Sequence, residues 1–530
     1  MAGPWTTPSG KTPGTFWGGS FRLGLLWQPS PSFRVVAKFD YNYVDNNGIA
    51  EDPSQVIDLT APGFERPNPG SLFNVTDFTK TYAIETTYRA SLNAAYTFGD
   101  GTILRSITSY QYGWGDGDVD LTIAGFGAGA FGGPPYFDSF ADYGREEIYS
   151  EEVNLISPDT GPLRWVAGLF YQHDYVTLLP GGSDGRGNIG FDIGVPAGVF
   201  DEDLAYRTPK VTEAAFGQVS YDITSTLQLQ VGARYTDETF GLRDTLFDQL
   251  FGVTLPGTVF NFVAHTSDSG LTGKVALNSS LNPTNFLYAF VATGSKAAGI
   301  NTNPVGTQTA PVPFGTETVT DYEAGWKPTF FDGHLRAQVG GYYDQYQKFQ
   351  LSFAVPSTAG NQAFIRNVSG TTTLYGIEAE MQAVFGPLSF DAGVSYEHSA
   401  LGSALVDDPG PSATAGALVQ LSGRPLPLAP DWTANFGGQY AFTLPNEATL
   451  TPRVDVSYIS GQWGTPYEDI GDYVPAHTVV NVQIAYEQHR FNVTLFATNA
   501  FNEQYLIGSA GGLRYAGAPA QYGVRVEHSF

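Results

Sequence analysis

The stretch Leu227-Gln228-Leu229-Gln230-Val231-Gly232-Ala233-Arg234-Tyr235 alternates without a break: Leu227, Leu229, Val231, Ala233 and Tyr235 take one parity, and Gln228, Gln230, Gly232 and Arg234 the other. Successive side chains of an extended strand point to opposite faces, so this segment separates an apolar phase from a polar one. A half-buried strand of a soluble sandwich alternates in the same way. Length decides between the two settings. From Tyr82 to Phe98, the residues Tyr82, Ile84, Tyr88, Ala90, Leu92, Ala94, Tyr96 and Phe98 keep one parity against Glu85, Arg89, Ser91 and Asn93 on the other. A sandwich strand is seldom so long, whereas a tilted membrane strand needs roughly 9–11 residues in the hydrocarbon and often runs on beyond it.

Aromatic residues gather at strand ends, among them Trp27, Phe39, Tyr41, Tyr43, Tyr110, Tyr112 and Trp114, as interfacial girdles require. The 530 residues hold 63 Gly, two Met and no Cys, so disulfides and thiol chemistry are excluded. No apolar run reaches the roughly 18 residues of a membrane helix. The formal charge of −26 and the lack of any basic tract argue against a nucleic-acid partner. The fold expected is all-β, a transmembrane antiparallel β-barrel set in outer-membrane lipid.

Short turns alternate with long connections. Gln28-Pro29-Ser30-Pro31, Gly99-Asp100-Gly101, Ser157 to Pro162, Asp222 to Thr226, Asn282-Pro283-Thr284, Phe331-Asp332-Gly333, Gly386-Pro387, Leu444 to Ala448 and Glu487 to His489 are short, and in a barrel lie on the periplasmic side. Long, Gly- and aromatic-rich segments such as Val44 to Thr79, Asp116 to Gly144, Thr177 to Pro209, Ala297 to Thr316 and Leu401 to Ala429 then face outward. The markers delimit about nineteen strands, where bacterial single-chain barrels have even numbers. The first strand, Phe21 to Trp27, leads into a short turn and therefore descends. Adding three leading strands gives about twenty-two, the size of plugged outer-membrane transporters. The expectation is a barrel domain over 17–530 preceded by a loop remnant at 1–16, in a chain shortened at its N-terminus. The opening residues carry no signal-peptide pattern.

Several phrases resemble TonB-dependent outer-membrane receptors. Leu287-Tyr288-Ala289 running to Gly294-Ser295-Lys296 and Gly299-Ile300-Asn301 is similar to that family's strand entering a Gly-Lys-Gly-Asn loop. Tyr322-Glu323-Ala324-Gly325-Trp326-Lys327 resembles its Tyr-Glu-x-Gly-x-Lys hairpin, and Asn367 with Gly376-Ile377-Glu378-Ala379-Glu380 the next one. Asn499, Phe501 and Asn502 resemble the penultimate strand's closing phrase, although Ala500 and Asn502 stand where Leu and Asp are usual. The family's N-terminal plug and TonB-binding segment have no counterpart in this sequence.

The resemblance implies an outer-membrane receptor that captures a scarce small molecule, a ferric siderophore first among the cargoes, and imports it with energy relayed by TonB. A passive channel, or a receptor for a carbohydrate or plant-derived aromatic compound, stands beside it. Arg22, Arg34, Lys38, Arg89, Arg105, Arg164, Arg234, Arg336, Glu378 and Glu380 are read as lumen-facing, where the family's wall grips its plug. Phe126, Phe131, Tyr136, Phe137 and Phe140 are outer-loop aromatics able to stack on a ligand. Tyr522, Val524, Val526 and the terminal Phe530 resemble the signal that barrel-assembly machinery recognises. Asp116, Asp118 and Asp120 have a spacing that can ligate Ca²⁺, but lack the turn glycine and closing Glu, so a solvated acidic loop is the reading. Seven scattered His form no metal pair, and neither a catalytic set nor a cofactor is expected.

Overall fold

Alternation sustained over many residues builds a wall of long strands joined by tight turns. The computed structural model describes residues 16–46, 51–52, 82–120, 139–179, 200–250, 253–254, 260–301, 311–357, 360–407, 418–469, 472–510 and 513–529. Among the described residues one sheet holds 21 strands, of which Val253–Thr254 and Phe442–Thr443 are two-residue pieces, leaving nineteen wall strands. They are β1 (Phe16–Ser30), β2 (Phe33–Asn46), β3 (Tyr82–Thr97), β4 (Ile103–Asp120) and β5 (Ser139–Ile156). Next come β6 (Leu163–Leu179), β7 (Phe200–Asp222), β8 (Leu227–Leu250), β9 (Phe260–Asn282) and β10 (Asn285–Lys296). Then follow β11 (Glu317–Phe330), β12 (Leu335–Gln347), β13 (Thr371–Phe385), β14 (Leu388–Ala400) and β15 (Trp432–Tyr440). The last are β16 (Thr449–Ile459), β17 (His477–Gln488), β18 (Phe491–Thr498) and β19 (Gln521–His528).

Each wall strand pairs antiparallel with the next in sequence. Among the described residues β1 pairs only with β2 and β19 only with β18. The sheet is therefore a strict meander, which keeps every wall strand beside its chain neighbour.

One face of the sheet is apolar and uncovered. Leu92, Leu169, Val231, Leu271, Val275, Ile377 and Val454 all stand exposed on it. Tyr96, Phe98, Tyr221, Phe330, Phe385 and Tyr440 ring it near the short turns, and Tyr110, Tyr149, Tyr171, Tyr235, Tyr322 and Tyr375 form a second ring farther up. A continuous apolar band between two aromatic rings is a surface made for hydrocarbon, because soluble proteins do not leave such an area bare. Tyr82 has the same outward parity yet is buried, its hydroxyl donating to Asp116 at 3.0 Å beyond the upper ring.

The short turns carry their own chemistry. In the β3–β4 turn, the Thr102 amide and hydroxyl both donate to Asp100 at 3.0 Å. The backbone donor foremost, these bonds hold the Asp100 carboxyl below the usual range. Phe331, Asp332 and Gly333 turn the chain from β11 to β12 with φ of 52°, 54° and 94°. The first turn falls later than expected, since β1 runs through Pro29 to Ser30 before the chain reverses.

Far from the turns, strands replace several expected loops. β4 continues to Asp120 and β5 starts at Ser139, so Asp116, Asp118 and Asp120 sit on a strand, opposite Tyr143, Ala141 and Ser139. β6 and β7 likewise extend into the expected Thr177 to Pro209 connection, and β7, β8 and β9 reach 23, 24 and 23 residues. The ladder is held by backbone groups, which continue pairing where side-chain alternation no longer announces a strand.

The two faces should respond differently to charge. Val231→Lys, on the bare face, is expected to destabilise the barrel by about 2–4 kcal/mol, with Gln230→Lys on the next residue changing far less. Urea titration of folding into lipid vesicles measures both.

Candidate functional site

The opposite face collects the charges. The Arg22 guanidinium pairs with Asp40 on β2. Arg89 donates twice to Gln111 Oε1, at 3.0 and 2.7 Å. Arg164 meets both oxygens of Asp222 at 2.6 and 2.8 Å, and Arg234 lies over the rings of Phe170 and Phe216, 5.1 and 5.6 Å from their centroids. Arg34, Lys38 and Arg105 share this face, with Arg34 and Arg105 flanking Ala95 and Lys38 opposite Ser91. Arg336 stands opposite Gln382, and Glu378 and Glu380 opposite Ser395 and Gly393. A further node escapes sequence reading: Arg453 Nη2 contacts Asp391 at 2.9 Å and Asp455 at 2.6 Å, bridging β14 and β16 across β15. Asp455 lies two residues along the same strand, whereas Asp391 lies 62 residues away and only register brings it there.

Two tyrosines lie flat along this wall. Tyr288 on β10 crosses Gly325 on β11, where an added Cβ would stand 2.5 Å from its ring, and its hydroxyl donates to Glu323 at 2.6 Å. Tyr342 on β12 crosses Gly376 on β13, leaving 2.7 Å between its hydroxyl and an added Cβ, and donates to Glu397 at 2.9 Å. The glycines of the Tyr-Glu-x-Gly and Gly-x-Glu phrases thus clear floor for a neighbouring ring. Beside them Asp321 and Asp344 face each other across β11 and β12. Lys274 Nζ sits 3.6 Å from the Phe290 ring centroid. Acids, hydroxyls and cations line this side of the wall, although among the described residues no three His, Asp or Glu gather as a metal site.

Above the sheet, polar side chains tie the outward connections into a rim. Gln350 Nε2 donates to the carbonyls of Ala297 and Gly315 at 2.8 and 3.0 Å, and its amide donates to Glu317 at 2.5 Å. Asn301 bonds to Val312 and Ile365 backbone groups, and Asn367 to those of Gly315 and Lys348. Residues Gln350–Ser357 and Gly360–Asn367 form a hairpin. Its Phe353, with Val368, Leu401, Val406, Leu421 and Tyr467, makes an apolar core outside the wall, each at most 7% exposed. Arg424 closes it, donating to the Pro466 and Tyr467 carbonyls. Sequence reading had Asn301 and Asn367 only as parts of a phrase and missed Gln350 and Glu317, whose partners lie tens of residues away.

Of the expected stacking residues, Phe126, Phe131, Tyr136 and Phe137 lie outside the described residues, and Phe140 falls on β5 opposite Val119. Tyr522, Val524 and Val526 stand on the outward face of β19, and Phe530 lies outside the described residues.

A family model, TonB dependent receptor-like beta-barrel, matches residues 27–502. The chain belongs to the TonB-dependent receptor family. Members are outer-membrane receptors of Gram-negative bacteria that interact with TonB. Among solved structures, the ferric yersiniabactin uptake receptor FyuA from Yersinia pestis superposes with a TM-score of 0.75 at 14% identity, over 100% of this chain and 73% of that one. The siderophore receptor PiuA from Acinetobacter baumannii gives 0.73 at 14%, over 97% and 74%. The ferric-catecholate import receptor Fiu from Escherichia coli K12, in its closed form, gives 0.72 at 14%, over 97% and 75%. At that identity the likeness is one of fold.

Two substitutions probe this receptor's wall and rim. Gly325→Val should push Tyr288 off its floor and destabilise the barrel by about 1–3 kcal/mol, read as a lower urea midpoint. Phe353→Ala should remove about 3–5 kcal/mol from the rim core. Limited proteolysis should then cut within residues 350–367 while the barrel keeps its heat-modifiable migration on gels.

Proposed function

We propose that this barrel is the wall and outer rim of a receptor that imports a ferric siderophore across the outer membrane with energy relayed by TonB. The observation that carries the reading is a polar rim, cross-tied by Gln350, Glu317, Asn301 and Asn367, standing over a wall whose inward charges include the pairs Arg22–Asp40, Arg164–Asp222 and Arg453–Asp391. Loops tied to one another by such bonds have less to order at binding, which spares affinity. Charges paired within the wall can face a plug or a passing ligand without being stranded. Support comes also from what similar folds carry: FyuA takes up ferric yersiniabactin, and BauA is the ferric preacinetobactin receptor.

A second reading is favoured by charge. The Asp321, Asp344, Glu323 and Glu397 side and the formal charge of −26 weigh against an anionic ferric complex. A neutral carbohydrate or aromatic compound would be spared that repulsion.

Uptake of radio-iron-labelled siderophores by cells with and without the gene separates the readings. Gene loss, or collapse of the proton-motive force, should reduce uptake of one siderophore to background. Unchanged iron uptake with lost growth on one glycoside or aromatic compound would install the second reading. Large, steady currents through the native protein in planar bilayers would instead make it a passive channel.

A further inference from the structure

We propose that Phe286, Tyr288 and Phe290 on β10, continued by Tyr342 and Tyr346 on β12, form a track of ring faces in the lumen along which cargo carrying uncharged planar rings descends from the rim to the short turns. The inference deepens the import reading and rests on it, naming the class of cargo and the wall residues that select it. The three β10 rings share the inward parity of their strand. Successive centroids are 6.4 Å apart, with planes inclined by 29° and 16°. Tyr288 lies over the bare backbone of Gly325, so its near-parallel neighbours are tiles of one strip whose faces look inward. Phe290 and Tyr342 flank Glu323 in one register row, which carries the strip across to β12. Higher on β12, Tyr346 meets Phe349 edge-on at 5.5 Å, and Phe349 packs against the rim core. At the lower end Phe286 lines a polar cleft of about 460 Å³ with Asn282, Lys327 and Thr329.

A lumen face that met only water would need no rings. β15 shows that default, presenting Thr433, Asn435, Gly437 and Gln439 on the parity opposite its exposed Trp432, Phe436 and Tyr440. The rings of β10 and β12 are half-buried, so part of each stays open to the lumen. Hydroxyl bonds to Glu323 and Glu397 hold Tyr288 and Tyr342 in place before any solute arrives. Aromatic faces take planar rings or cations. The cations are already supplied, because Lys274 Nζ lies over Phe290 and Lys327 Nζ over Tyr288, 3.6 and 5.1 Å from the centroids. Both are long, flexible caps that an arriving ring can lift into water, exchanging a cation contact for a stacking contact of similar strength. The acids beside the strip, Glu323, Asp321 and Asp344, set it against an anionic ring, which leaves an uncharged one as the fitting occupant. Stacking itself does not depend on the protonation of those acids. Repeated sites of similar strength let a solute bind and move on, where one deep site would hold it.

The test uses the full-length receptor in detergent micelles, with Phe286→4-fluorophenylalanine as a reporter on the strip. Two uncharged probes are compared: gallium(III) tris-benzohydroxamate, which carries planar rings, and gallium(III) tris-acetohydroxamate, which carries none. The ring-bearing probe should move the fluorine resonance saturably, and the other should leave it in place. Tyr288→Leu should weaken the apparent affinity about threefold to tenfold, whereas Tyr288→Phe, which keeps the ring and gives up the bond to Glu323, should preserve it. Phe290→Leu is read in the same way if Tyr288→Leu fails to fold, as judged by heat-modifiable migration on gels. No shift with the ring-bearing probe, equal shifts with both probes, or an affinity indifferent to loss of either ring overturns the proposal. A ring-selective shift in a receptor whose gene loss leaves iron uptake unchanged upholds the track and removes the siderophore reading, so the two fail separately.

Discussion

Hydrocarbon offers no hydrogen bonds, and this single deficiency governs the molecule. Each backbone N–H and C=O within the lipid must find its partner in the next strand, so the chain crosses only as an unbroken ladder. Between neighbouring strands the meander from β1 to β19 is the simplest way to meet that demand, since each strand pairs with the one made just before it. Side chains then have no choice of face. Parity delivers mostly apolar and aromatic side chains outward, and charges delivered inward can be matched among their neighbours, as Arg453 is by Asp391 and Asp455.

That constraint explains which parts of the structure the sequence discloses. The wall is legible because alternation is a local, period-two signal: the parity of Leu227 to Tyr235 places Val231 outward and Arg234 on the opposite face with no knowledge of the rest of the fold. Above the membrane both faces meet water, alternation loses its cause, and the outer part of β7, up to Pro209, reads as loop although the ladder persists. Asp116 belongs to the same class. It reads as a solvated acid and is in fact buried, taking the hydroxyl of Tyr82.

The candidate site divides along the same line. Charges facing the lumen follow from parity, so Arg22, Arg89 and Arg164 could be assigned a face, whereas their partners could not, because a partner is fixed by register between strands. The rim was the least legible part. Gln350 is an ordinary glutamine in sequence, and it is the bonds to Ala297 and Gly315 that make it a tie between connections. The motif glycines lie between these extremes: Gly325 and Gly376 were recognisable as members of a phrase, but the need for glycine appears only when Tyr288 and Tyr342 are laid across them.

The length of β8 carries a geometric corollary. Its 24 residues, at roughly 3.3 Å each and tilted by roughly 40°, rise roughly 60 Å, about twice the thickness of the hydrocarbon layer. On this side the sheet projects past the headgroups like a chimney, with β7 and β9 rising beside it. A solute arriving from outside would first encounter protein well above the lipid surface. The lip of that chimney is free to change its side chains while the backbone pairing beneath it stays the same.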